Sequence, residues 1–234
     1  MFSKVGNLQF FSHLDLQRTW QRVLVRASIP MWYTQGFNPH SKIVFGIPLS
    51  VGTEGTHEMV DLRIDRAITP DEMRDQLNAE LTDEMQVSAV YIPTTAFSDI
   101  AYATYTVTVS DPSAASVDAD AVEALFAPGA APILMTKRTK SGDREMDILP
   151  LIREIHAARE ADGTLILHAT LAAGGSANLS PEFLVAALRE KLGMLTDTEH
   201  PDVCWYRILR TGFLCAAVRT VWQRAVQCGK GAVK

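Results

Sequence analysis

No stretch of this 234-residue chain approaches the roughly 20 uninterrupted apolar residues that a bilayer crossing requires. The opening run, Met1-Phe2-Ser3-Lys4-Val5-Gly6, lacks a long apolar region followed by a small-residue cleavage site. The expected location is therefore cytoplasmic, with no membrane partner. Cysteine is equally scarce. Cys204, Cys215 and Cys228 are odd in number and show no CxxC spacing, which speaks against a disulfide framework and gives these thiols no assigned role. Iron–sulfur ligation normally needs closer thiolates, so the chain carries no cluster-binding motif of its own. Phosphate-loop, nucleophile-elbow, kinase and dinucleotide signatures are missing too, and Ala173-Gly174-Gly175-Ser176 alone is too weak to imply nucleotide binding. No metal or other cofactor is expected.

Positive charge is also in deficit. The formal net charge of −5 excludes a protein that coats nucleic acid by global attraction. The average conceals a segregation, however: residues 65–130 hold 12 Asp/Glu against 2 Lys/Arg, whereas 203–234 hold 6 Lys/Arg and no acid. Between them, 137–144 hold 4 basic residues against 1 acidic one. Local basic surfaces are compatible with this pattern.

What is present is 47% hydrophobic residues, enough for one full core or two small ones. Phe2–Phe11 alternates loosely and reads as a strand. Ser12-His13-Leu14-Asp15 then offers an N-cap with an acid three residues on, ahead of Leu16, Trp20, Val23, Leu24 and Ala27 at helical spacing. Pro30 closes that helix. Lys42–Gly46 reads as a buried strand, Pro48–Gly55 as a long connection, and Met59–Ile64 as a half-buried strand. Thr69-Pro70-Asp71-Glu72 caps a second helix reaching about Leu81, and Met85–Ile92 supplies a fourth strand.

This β-α-β-β-α-β order is the ferredoxin-like split-βαβ arrangement. It recurs more loosely downstream. Tyr102–Val109 reads as a strand, Val117–Phe126 as a helix, Ile133–Thr139 as a strand and Ser141-Gly142-Asp143 as a turn. Glu145–Ile155 is ambiguous around Pro150. Thr164–Leu171 reads as a strand, Ser180-Pro181-Glu182 caps a helix ending near Gly193, and Val203–Leu209 is a closing strand. The expectation is an α+β protein of two tandem ferredoxin-like halves with antiparallel sheets, 1–95 and 96–211. A basic C-terminal tail, 212–234, has the makings of a terminal helix over Phe213–Gln227.

Five motifs stand out in combination. Phe11-Ser12-His13-Leu14-Asp15-Leu16 is followed by Arg18, Arg22 and Arg26, then by Gly36-Phe37-Asn38-Pro39-His40 and Pro48-Leu49-Ser50-Val51-Gly52. Lys137-Arg138-Thr139-Lys140 with Asp147-Ile148 comes later, and Asn178-Leu179-Ser180-Pro181-Glu182 follows. With these the chain resembles the radical-SAM-linked family of bacteria, a domain of unknown function found fused to or beside B12-binding radical SAM proteins, over most of its length to about Thr211. The resemblance implies a B12-binding radical SAM protein as partner and genomic company with a ribonuclease gene and ribosomal protein genes. It brings no established reaction, and the cysteine-bearing tail departs from the pattern.

The candidate site residues follow. His13, Asp15, His40, His57, Glu58 and Asp61 are ligand types suited to zinc or iron, but their spacings diverge, so capping, turn and surface roles are the expectation over a metal site. His13 and His40, with Asp15, are the candidates for general acid–base cleavage of RNA should they meet at one sheet edge. Arg18, Arg22 and Arg26 fall at i, i+4 and i+8, a solvated helix face or a phosphate-tracking ridge. Lys137, Arg138 and Lys140 belong to a hairpin whose tip can project cations toward a groove or a single strand. The expectation for function is a noncatalytic accessory or substrate-presenting module contacting structured RNA or a radical SAM partner. Arg18, Arg22, Arg26, Lys42, Lys137, Arg138 and Lys140 would supply charge, and His13, Asp15, Asn38 and His40 a polar site. The alternatives are an RNA-processing or RNA-modifying enzyme using His13 and His40, and a scaffold that binds only protein.

Overall fold

The capping signals in the sequence form as local hydrogen bonds. Helix α1 spans His13–Arg26, and the Ser12 side chain accepts from the Asp15 N–H while the Asp15 carboxylate accepts from the Ser12 N–H, a complete capping box. Helix α2, Pro70–Asn78, starts at Thr69, whose hydroxyl accepts from the Glu72 N–H. Replacing Ser12 by Ala leaves the Asp15 N–H without its side-chain acceptor. The expected cost is about 1 kcal/mol, read as a lower denaturant midpoint at unchanged slope.

The computed structural model describes residues 1–139, 142–175 and 177–215. Within them the chain is α+β, its strand pairs antiparallel wherever the register is defined. It divides into two compact units: Met1–Asp99 together with residues 210–215, and Ile100–Leu209.

In the first unit, β1 (Phe2–Lys4) pairs with β3 (Thr53–Glu58), and β2 (Ile43–Phe45) pairs with β4 (Val60–Leu62). The core beneath them joins Phe2, Leu16, Trp20, Val23, Leu24, Met73, Leu77, Met85 and Val87. Phe2 meets Trp20 edge-on at 5.0 Å between ring centroids.

Three expectations are corrected here. The strand expected over Phe2–Phe11 stops at Lys4 and gives way to a 3-10 helix over Gly6–Phe10, because the Gly6 backbone is left-handed, φ 61°. The expected connection Pro48–Gly55 contains the start of β3, a strand whose polar sequence hides it. Met85–Ile92 is not a strand. Residues 84–88 run beside β1 through Ser3 N–H to Gln86 O, Val5 N–H to Glu84 O and Ser88 N–H to Met1 O, with one isolated bridge at Val87.

In the second unit, β5 (Ile100–Ser110) pairs with β9 (Leu165–Ala172), which pairs with β8 (Ile152–Arg159). Helix α3 covers Ala119–Leu125 and helix α4 Glu182–Leu192, the latter ended by a left-handed Gly193 as expected. Ala103, Val107, Val109, Leu165, Leu167, Leu171, Val122, Leu184 and Leu188 are buried together as alternating strand and helix faces. The ambiguous stretch around Pro150 resolves into β7 (Gly142–Asp147), a 3-10 turn over Leu149–Leu151, and β8. β6 (Leu134–Thr139) pairs with β7 as a separate hairpin. The closing strand β10 is longer than expected, Trp205–Cys215. It borders β5 in this unit, and its part from Arg210 on belongs to the first unit beside β3.

Candidate functional site

The first turn of α1 places His13 and Asp15 at the surface. The His13 ring packs edge-on against Phe45 of β2, 5.3 Å between centroids. Asp15 is held below the usual carboxylate range by hydrogen bonds from the Ser12 hydroxyl and N–H, with the Arg18 charge adding to them. His40 closes the Thr34–His40 turn: its N–H donates to the Thr34 hydroxyl at 3.0 Å, and its Nδ1 lies 3.2 Å from that hydroxyl and 3.1 Å from the Asn38 carbonyl oxygen. Asn38 and Lys42 are exposed, and Phe37 projects fully into solvent. Among the described residues no hydrogen bond joins His13 to His40, and each imidazole has other company.

The six-residue ligand set is dispersed in the same way. His57 Nδ1 lies 2.9 Å from the Thr56 hydroxyl, and Glu58 is buried against Arg210. Burial pushes the Asp61 carboxyl up. Among the described residues no three His, Cys, Asp or Glu side chains form a group able to hold a metal ion.

The β6–β7 hairpin is where basic residues meet. Ile133, Met135 and Ile148 bury its base, and Asp147 accepts from the Ile133 and Leu149 N–H groups at 3.1 Å each. Toward the tip, Lys137 stands directly opposite Arg144, and both are exposed. Strand alternation puts this pair on the face of Met135 and Met146, whereas Asp143, Glu145 and Asp147 fall on the other face of β7. Directly opposed side chains have Cβ atoms about 5 Å apart, and like charges so placed repel. Neither cation has an ion-pair partner among the described residues. The result is a hairpin with one cationic face, most favourable when an anion lies between the two charges. Arg138 pairs in register with Asp143. Lys140, Ser141 and the side chain of Arg138 lie outside the described residues, as do Ser176, Cys228 and all but the start of the expected tail helix.

The arginines of α1 diverge in fate. Arg18 and Arg22 are exposed, while Arg26 forms an ion pair with Glu80, its Nη2 2.5 Å from the carboxylate. Their spacing also carries the three progressively around the helix rather than along one line.

Sequence reasoning missed a buried charge network in the first unit. Lys4, Glu54, Glu58 and Arg210 are each no more than 5% exposed. Arg210 grips Glu58 with Nε and Nη2, the first at 2.9 Å, and Nη2 also donates to the Ile47 carbonyl at 2.8 Å. The Lys4 ammonium donates to the carbonyls of Gln9 and Thr53 at 3.2 and 3.4 Å. Burial pushes its pKa down, and the carboxylates of Glu58 and Glu54 pull the other way. Glu54 accepts from the Gly6 N–H at 2.6 Å. Glu58 folds back over Gly55 so closely that its carboxylate occupies the place of a Cβ there, which is why that position is glycine. The network thus fixes the backbone of the Gly6–Phe11 turn and the Ile47–Thr53 segment. The only sequence signal for it is the clustering of Glu54 and Glu58 around a glycine.

A family model described as an uncharacterized protein conserved in bacteria (DUF2344) matches residues 1–181. No curated protein matches the chain. Among the described residues no helix is long and apolar enough to cross a membrane.

Proposed function

The chain belongs to that uncharacterized bacterial family, and from this premise we propose that it is a noncatalytic accessory or substrate-presenting module that contacts structured RNA through the β6–β7 hairpin. The observation that carries this reading is the Lys137–Arg144 couple, without an ion-pair partner among the described residues, on one face of an exposed hairpin, with the acids of β7 turned to the other face. Two cations on directly opposed residues suit adjacent phosphates, and Arg138 and Lys140 follow closely in the sequence. Lys42 is a further cation near the polar turn of the first unit. A radical SAM protein is the partner this reading assigns, on the strength of the resemblance in the motifs from Phe11 to Glu182. That partner would hold the cluster, since the three cysteines here lack cluster spacing.

The strand orders support a ferredoxin-like reading of both units. With the β6–β7 hairpin set aside as an insertion, the second unit runs β5-α3-β8-β9-α4-β10 and its strands neighbour one another as β10-β5-β9-β8. In the first unit, residues 84–88 take the place of the fourth strand beside β1. The enzymatic alternative gains nothing from the geometry, because His13 and His40 are engaged with Phe45 and with Thr34 and Asn38.

The test is equilibrium binding of a labelled RNA stem-loop across a salt series. Lys137→Ala/Arg144→Ala removes two phosphate contacts, so the slope of log K against log salt should fall by about 1.4–1.8. Unchanged affinity and slope would remove the hairpin from the proposal.

A further inference from the structure

Helix α1 has an outward face that a purely solvated helix would not show. Leu16, Trp20, Val23 and Leu24 are buried. At about 100° per residue, the direction opposite them is occupied by Leu14, Arg18 and Val25, flanked by Gln21 and Arg22. Leu14 is 52% exposed and Val25 66%, large aliphatics at the centre of the solvent face. Just ahead of the helix, Phe10 is 65% exposed, and the Gly52 N–H donates to the Gln9 carbonyl at 2.9 Å, bringing the exposed Val51 to the same end. Scattered apolar residues are ordinary, but Leu14 and Val25 on one helix face, with Phe10 in its entry turn and Val51 in the segment bonded to that turn, are not. The ground beneath is rigid: the Lys4 ammonium donates to Gln9, and Arg210 holds the Ile47 carbonyl.

We infer that this face is a docking surface for an acidic amphipathic helix of a partner protein. Phosphate gains nothing from Phe10, Leu14, Val25 or Val51, so their exposure beside Arg18 and Arg22 selects a partner with both apolar and acidic side chains. The two arginines have no ion-pair partner among the described residues, and an exposed aliphatic flanks them on either side along the helix, Leu14 before and Val25 after. Charge also argues against the chain's own tail as occupant, since 216–234 contains Arg219, Arg224, Lys230 and Lys234 and no acid. A second copy is a poor fit as well. The acidic helix α2 buries its large apolar residues, Met73 and Leu77, leaving none to meet Leu14. The inference stands on α1 and is independent of the hairpin.

The experiment displays a library of helical peptides, varied in leucine and acidic positions, against the immobilised full chain. Enriched sequences should carry leucines at helical spacing flanked by Glu or Asp. Their binding should weaken about tenfold or more on Leu14→Ser/Val25→Ser and on Arg18→Glu/Arg22→Glu, and hold on Lys137→Ala/Arg144→Ala. All three variants change exposed side chains, and far-UV circular dichroism checks that each stays folded. No enrichment over scrambled peptides overturns the inference, as does enrichment indifferent to the α1 variants. Displacement of the peptides by single-stranded RNA would return the face to nucleic acid, and self-association abolished by Leu14→Ser would assign it to a second copy.

Discussion

Arg210→Met should destabilise the first unit by about 3–5 kcal/mol, the range for stranding one member of a buried ion pair. Arg210 satisfies both oxygens of Glu58 and donates to the carbonyl of Ile47, and its guanidinium lies 4.7 Å from the centroid of the Phe213 ring. Removing it leaves Glu58, 5% exposed, with the Lys4 ammonium as the remaining cation coupled to it among the described residues. Methionine fills much of the volume, so the loss reports charge rather than cavity. Glu58→Leu added to the same chain should recover a large part of the stability, because an apolar pair no longer buries an uncompensated charge. Denaturant melts of wild type, single and double variants check this. A single variant within about 1 kcal/mol of wild type would mean that the pair is solvated and the network does not hold the Ile47–Thr53 segment.

Asp111→Ala should cost about 2–4 kcal/mol in the second unit, because the charge-assisted hydrogen bonds accepted by a buried carboxylate are lost. The Asp111 carboxylate accepts from the Leu195 N–H, from the Ser113 N–H at 3.0 Å and from the Ser113 hydroxyl at 2.6 Å. Leu195 is a branched residue in the left-handed region, φ 53°, and the carboxylate pins it there at the end of α4. Burial pushes the Asp111 carboxyl up, but the hydrogen bonds from Ser113, Leu195 and Ala114 outweigh it and hold the pKa below its ordinary value. The folded value is therefore the lower one. The contribution is complete above the unfolded carboxylate value of about 4 and is lost as the pH falls through the folded value. Wild type and Asp111→Ala should converge in stability in strong acid and differ by the full, constant amount above about pH 4. A constant gap between them down to low pH would assign the effect to packing instead.

Much of the fold is legible because its signals are local. Ser12 with Asp15, Thr69 with Glu72, and Gly193 each mark a helix end by a hydrogen bond or backbone angle made within a few residues. β5 alternates cleanly from Ala103 to Ser110, buried and half-buried residues in turn. β3 is illegible for the opposite reason. Thr53-Glu54-Gly55-Thr56-His57-Glu58 reads as solvent-exposed, and its charges are buried only because Lys4 and Arg210, 152 residues from Glu58, come to meet them. No window of sequence contains that pairing. The stretch around Val87 errs the other way, apolar enough for a strand yet joined to β1 by a single isolated bridge and scattered hydrogen bonds.

The candidate site divides along the same line. The basic hairpin is visible in Lys137, Arg138, Lys140 and Arg144. That Lys137 faces Arg144 on one side depends on register, which the sequence leaves open. The arginines of α1 are visible as a stripe, but Glu80 capturing Arg26 and the exposure of Leu14 and Val25 on either side of the others are tertiary facts. His13 and His40 read as partners because both are imidazoles near the first helix, whereas the contacts they make, with Phe45 and with Thr34, depend on the fold.

The most direct test of the hairpin reading is ultraviolet crosslinking of the full chain to RNA in the cell, followed by mass spectrometry of the crosslinked peptides. The account predicts crosslinks concentrated in the peptide spanning Leu134–Asp147 and lost from Lys137→Glu/Arg144→Glu. Crosslinks confined to other segments, or none above a ribonuclease-treated control, would contradict it.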